Sequence, residues 1–115
     1  PANALCQDPA VCGAYETDRL NHNRISLTLA AGMWRAADYS LSHSSNLRVP
    51  LLLCHGEADS VCSIEGSRQF ARSCPGVRFV SFENAYHELH NEPVVREQLL
   101  LEISEFIHEN LCQNA

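Results

Sequence analysis

The sequence predicts an α/β fold: two parallel strands joined by a helical crossover, with helices before and after them. Three observations carry this. Two short runs, Val49 to Cys54 and Val77 to Phe82, are largely apolar and without the alternation of a half-exposed strand. Both their faces should be covered, as in a parallel sheet. A helical stretch separates them, and a parallel pair needs such a crossover, right-handed by default. Finally, an acid (Asp59) follows the first run and a histidine (His87) follows the second.

In chain order, Pro1 to Val11 reads as irregular, with Pro, Asn, Gln and Asp and no apolar period. Leu20 to Leu41 reads as helical, because Ile25, Leu29 and Met33 recur at spacing four beside Trp34 and Ala37. Gly32 weakens its centre by roughly 1 kcal/mol relative to Ala. His43 to Asn46 is a loop. Pro50 sits near the start of the first strand, where a lost donor is tolerable. Ser63 caps a short helix from Ile64 to about Ser73, with Ile64, Phe70 and Ala71 facing inward. Cys74-Pro75-Gly76 stops it. After the second strand, Pro93 opens a long helix at a position that costs no hydrogen bond. Val95, Leu99, Ile103, Phe106 and Ile107 form its expected buried stripe, with Arg96, Glu97, Glu102, Glu105 and Glu109 facing out.

The chain has 115 residues and a net charge of −6, and Arg supplies all of its positive side-chain charge apart from His. Scattered basic residues argue against a nucleic-acid surface. No apolar run reaches the length of a membrane span. None of the six cysteines forms C-x-x-C. Cys54 reads as a small hydrophobe at a strand end. Cys6 and Cys12 are the local pair to consider for a disulfide, against a default of free thiols in a reducing, cytoplasmic setting. Doubly covered strands also call for partner strands beyond the two seen here.

A parallel sheet places consecutive C-terminal strand ends side by side, so Asp59 and His87 should meet at one sheet edge. An acid that orients a histidine is two thirds of a hydrolytic triad in the order Ser, Asp, His. Asp59 also fits an Asx-turn acid. Among the other histidines, His90 is the rival base, one turn beyond His87. His55 shares the turn of Asp59 and breaks the usual order. His108 reads as a solvated surface group, and His22 and His43 have no obvious partner. His87 and His90 are three apart, whereas a zinc-protease helix needs four, so no metal and no cofactor are expected. The G-x-S-x-G elbow that would carry the serine does not occur in the chain. The Ile25–Trp34 stripe is open to two readings, core packing or part of a cap over an apolar pocket.

The run Val49-Pro50-Leu51-Leu52-Leu53-Cys54-His55-Gly56-Glu57-Ala58-Asp59, then Glu65-Gly66-Ser67, then Tyr86-His87-Glu88-Leu89 and Glu92-Pro93, resembles the monoacylglycerol lipase and lysophospholipase group of α/β-hydrolases, serine aminopeptidase-like relatives included. Tyr15 to His22, leading into Arg24-Ile25-Ser26, is similar to the stretch that joins this family's cap to its core. Arg19 stands where the family often has proline. The resemblance implies the C-terminal part of an α/β-hydrolase fold, with residues 1–46 as the end of the cap and the return to the core. Residues 47–115 would be the C-terminal βαβα part of an incomplete core. The nucleophile and oxyanion loop would lie upstream, leaving the isolated chain inactive. By resemblance Asp59 is the triad acid and His87 the triad base of a hydrolase acting on carboxylic esters of lipid-like substrates. The implied location is cytoplasmic, with peripheral membrane contact through the cap. Two alternatives stay open. One is an epoxide hydrolase or dehalogenase type with an aspartate nucleophile, and the other is a non-catalytic module that binds an apolar ligand.

Overall fold

The computed structural model of the chain describes residues 1–112. Its order is α1 (Pro9–Thr17), α2 (Leu27–His43), β1 (Leu51–Gly56), α3 (Ile64–Ser73), β2 (Val77–Phe82) and α4 (Arg96–Cys112), with short 3₁₀ turns at Ala2–Ala4, Ser44–Asn46 and Leu89–Asn91. β1 and β2 pair in parallel, with Leu51 beside Val77 and Gly56 beside Phe82. α3 makes the crossover and packs on both strands, and α4 approaches β1 as well.

Strand parity assigns the two faces. Leu51, Leu53 and His55 share one face, where they border a groove with Gly66, Ser67 and Phe70 of α3. Cys54, Val80 and Phe82 share the other. There Phe82 packs in a core with Ala85, Leu89, Val95 and Leu99, and Cys54 and Val80 lie against it. Arg78 points the same way. Its guanidinium pairs with Glu102 at 2.8 Å, Glu109 at 3.2 Å and Glu105 at 3.5 Å, tying β2 to α4. Those acids, expected to face away, instead turn one side of α4 toward the strand.

Local signals explain the helix starts. Ser63 caps α3, its hydroxyl accepting from the Glu65 amide. Ser26 caps α2 in the same way, accepting from the Leu29 amide. α2 therefore begins at Leu27, and the stretch from Leu20 lies outside it. Pro93 stands in the turn that feeds α4, where the Arg96 amide donates to the Glu92 carbonyl at 3.0 Å. β1 begins at Leu51, two residues after Val49, because Pro50 brings no donor to the ladder.

Several expectations are corrected. The N-terminal stretch expected to be irregular contains the start of α1, whose Asp8 side chain accepts from the Ala10 amide and whose Pro9 takes the first helical position. At nine residues, α1 is shorter than the stretch over which a helical apolar period can be read. Ile25, Leu29, Met33 and Trp34 are all exposed, so this stripe is not core within the described residues. Val95, just before α4, and Leu99 within it are buried, but Ile107 is 52 % exposed. Cys6 and Cys12, the pair considered for a disulfide, are free thiols in line with the default reading, and the Cys12 thiol donates to the Cys6 carbonyl.

Candidate active site

Two loops at the C-terminal ends of β1 and β2 form the site, and backbone hydrogen bonds stitch them together. The Glu57 amide donates to the Phe82 carbonyl at 2.9 Å, and the Ala58 amide donates to the Ala85 carbonyl at 3.0 Å. The Asp59 amide then returns to the Gly56 carbonyl at 3.2 Å, closing a turn that aims Asp59 across the sheet edge. Gly56 makes this approach possible. A Cβ there would collide with the carbonyls of Ala85 and Tyr86. The second loop turns at Asn84, which adopts a positive φ of 59°, a conformation Asn tolerates better than most residues.

The N-terminal segment clamps the second loop from outside. The Glu88 amide donates to the Leu5 carbonyl at 2.7 Å, and the Gln7 side-chain amide donates to the Asn84 carbonyl at 2.8 Å. Glu92, only 1 % exposed, accepts from the Tyr86 amide at 3.0 Å and from the Gln7 side chain at 3.1 Å. The backbone on both sides of His87 is thus held by the N-terminal segment and by Glu92.

His87 Nδ1 lies 2.9 Å from Asp59 Oδ2. An ionised carboxylate can only accept, so Nδ1 carries a proton, and in the neutral ring Nε2 is then the nitrogen with a free lone pair. The Asp59 side chain is 3 % exposed and that of His87 is 36 % exposed, so the ring bridges a covered acid and solvent. Burial alone would push the Asp59 carboxyl up. The Cys62 amide, the His87 ring and the Val61 amide outweigh it and hold the carboxyl below its ordinary range. Those amides both donate to Oδ1, at 3.0 and 2.7 Å, leaving Oδ2 for the ring. The Asx-turn reading of Asp59 and the histidine-orienting reading therefore hold together, one on each oxygen.

His55, set aside on the sequence, also faces Asp59. Its Nε2 lies 3.3 Å from Asp59 Oδ2 and 3.1 Å from the Cys62 carbonyl. Both are acceptors, so this nitrogen carries the proton and Nδ1 accepts from the Ser67 hydroxyl at 2.8 Å. The signal was its strand parity, which turns His55 to the α3 side where Ser67 stands. The Cys62 thiol joins the same group. Burial, then the charge of Asp59, pushes its pKa up. A ligand atom from each of Asp59, Cys62 and His87 lies within 4.8 Å of the others.

The rival histidines sit elsewhere. His90 contacts Asn91 at 3.3 Å, and His43 stacks on Tyr39 and bonds its carbonyl. His22 accepts from the Arg24 amide. Among the described residues, no helix is long and apolar enough to cross a membrane.

Known proteins match this chain along most of its length. A family model described as serine aminopeptidase, S33, matches residues 1–94. An uncharacterized abhydrolase domain-containing protein of Dictyostelium discoideum is 33 % identical over 110 residues, which are 93 % of this chain and 12 % of that protein. A monoacylglycerol lipase of Mycolicibacterium smegmatis is 28 % identical over 95 residues, 80 % of this chain and 34 % of the lipase. The crystal structure of Paleococcus ferrophilus monoacylglycerol lipase superposes with a TM-score of 0.86 at 27 % identity, covering 92 % of this chain and 42 % of that one. The chain thus spans less than half the length of each of these relatives.

Proposed function

The chain belongs to the serine aminopeptidase S33 family and has the fold of a monoacylglycerol lipase-like α/β-hydrolase, and from that premise we propose that it supplies the acid and base of a serine esterase acting on lipid-like carboxylic esters. The observation that carries the proposal is the 2.9 Å contact between Asp59 and His87 at adjacent parallel strand ends. The monoacylglycerol lipases among its relatives support the substrate class.

In this reading a serine from the remainder of the protein attacks the ester carbonyl. His87 Nε2 takes the serine proton, and Asp59 stabilises the imidazolium through Nδ1. His87 then protonates the leaving alcohol. Water, deprotonated by the same nitrogen, clears the acyl-enzyme. Residues 1–46 belong to the end of the cap and its return to the core in this assignment. The exposed side chains of Leu29, Met33 and Trp34 on α2 suit a surface that meets the rest of a cap or a lipid interface. The location in keeping with free thiols is the cytoplasm.

The test is hydrolysis of a monoacylglycerol by the intact protein. Asp59→Asn and His87→Ala should each lower kcat by about 10³-fold or more. His90→Ala, which alters a ring outside the contact, should leave kcat within about threefold of the unmodified protein. Loss of activity in His90→Ala with retention in His87→Ala would overturn the assignment. An aspartate nucleophile would instead leave the protein unlabelled by a fluorophosphonate probe.

A further inference from the structure

We propose that Asp59, Cys62 and His87 form a binding site for a soft divalent cation of the zinc class, and that occupying it switches the base off. The donor set is the first argument. Imidazole, thiolate and carboxylate together are the ligands zinc takes in proteins. The spacing is the second. Zinc bonds of about 2.0–2.3 Å in a tetrahedron place neighbouring donors roughly 3.3–3.7 Å apart. Asp59 Oδ2 already stands 2.9 Å from His87 Nδ1. One donor each from Asp59, Cys62 and His87 falls within 4.8 Å of the others, so the three need draw in by no more than about 1 Å to surround one ion.

The surroundings are a third argument. Ligating carboxylates are typically held by hydrogen bonds from neighbouring groups. His55 supplies one, its Nε2 donating to Asp59 Oδ2 at 3.3 Å while its Nδ1 accepts from the Ser67 hydroxyl at 2.8 Å. The Asp59 carboxylate is fixed by the Val61 and Cys62 amides, which also sets the Cys62 backbone beside it. Cys62 and His87 are exposed, so an ion reaches the site from solvent.

The proton balance explains the effect. Coordination replaces the thiol proton of Cys62, which leaves to solvent. It also replaces the Nδ1 proton of His87, and that imidazole stays neutral by carrying its proton on Nε2. An Nε2–H cannot accept from a serine. Binding rests only on the geometry above, whereas inhibition rests also on the reading of Asp59 and His87 as acid and base.

The experiment uses the intact protein with zinc chloride competed against a chromophoric chelator, and cobalt(II) as an optical substitute. Expected are one ion bound per chain, a thiolate-to-cobalt charge-transfer band, and reversible loss of ester hydrolysis that EDTA restores. Cys62→Ser should lose the band and weaken zinc binding by more than about tenfold, the least that loss of a supporting group costs. Failure of the protein to compete with the chelator, or binding unchanged in Cys62→Ser, overturns the site. Cys62-dependent binding with undiminished hydrolysis upholds the site and counts against Asp59 and His87 as the acid and base.

Discussion

Gly56→Ala tests how the two loops are held together. The added methyl meets the Ala85 and Tyr86 carbonyls and the Ala85 carbonyl carbon, all backbone atoms. Nothing flexible stands there to give way, so the loop carrying His87 must retreat by about 1 Å to reach ordinary contact. Overpacking of this kind costs about 1–3 kcal/mol. The retreat also stretches the bonds from Glu57 to Phe82 and from Ala58 to Ala85, each worth about 1 kcal/mol. Together these come to about 3–5 kcal/mol. The contact of 2.9 Å between Asp59 and His87 lengthens as well, and a misplacement of about 1 Å in a catalytic group can cost 10²-fold in rate. The assay is denaturant unfolding of the intact protein with and without the substitution, beside kcat for ester hydrolysis. Gly66→Ala is the control. A Cβ at Gly66 has no neighbour within 4 Å, and replacing a helical glycine should stabilise α3 by up to about 1 kcal/mol. If Gly56→Ala shifts neither the midpoint nor kcat, the close approach is not what sets the site.

Two further substitutions probe the supports. Glu92→Ala removes the buried acceptor of the Tyr86 amide and the Gln7 side chain, and should cost about 2–4 kcal/mol and lower kcat. Glu92→Gln, which keeps one acceptor oxygen, should recover much of both. Equal behaviour of the two variants in the same unfolding assay would mean that the hydrogen bonds are unimportant. Arg78→Ala should lower the melting temperature at low ionic strength, with the deficit narrowing as salt is added, because Glu102, Glu105 and Glu109 meet it near the surface. A deficit independent of salt would assign the effect to packing of the arginine stem.

The parts of the fold that the sequence makes legible are those written in local signals. Two apolar runs, the Ser63 cap and the Cys74-Pro75-Gly76 stop define the β1–α3–β2 unit, and parallel pairing follows from the crossover. Because that pairing brings successive strand ends together, the meeting of Asp59 with His87 was legible too. α1 was not, because the helix after its Asp8-Pro9 start runs only nine residues, too few to show a helical period. The exposure of Ile107 was equally invisible, since an apolar stripe shows which face of a helix is suited to burial, not what covers it.

The clamp on the His87 loop marks the limit of local reasoning. Gln7 reaches Asn84 and Glu92 from 77 and 85 positions away in sequence, and Leu5 receives the Glu88 amide. A glutamine and a glutamate carry no periodicity, and nothing within a few residues of either announces the other. Yet these contacts hold the backbone on both sides of the histidine. β2 delivers the chain to the sheet edge and Gly56 lets the loops close up. Those two features determine where His87 begins, whereas its ring direction depends on the peptide planes at Asn84, Tyr86 and Glu88. Each of these planes is held by a hydrogen bond to Gln7, Glu92 or Leu5. The strand ends therefore set the distance between acid and histidine, and the distant N-terminal segment helps set the angle at which they meet.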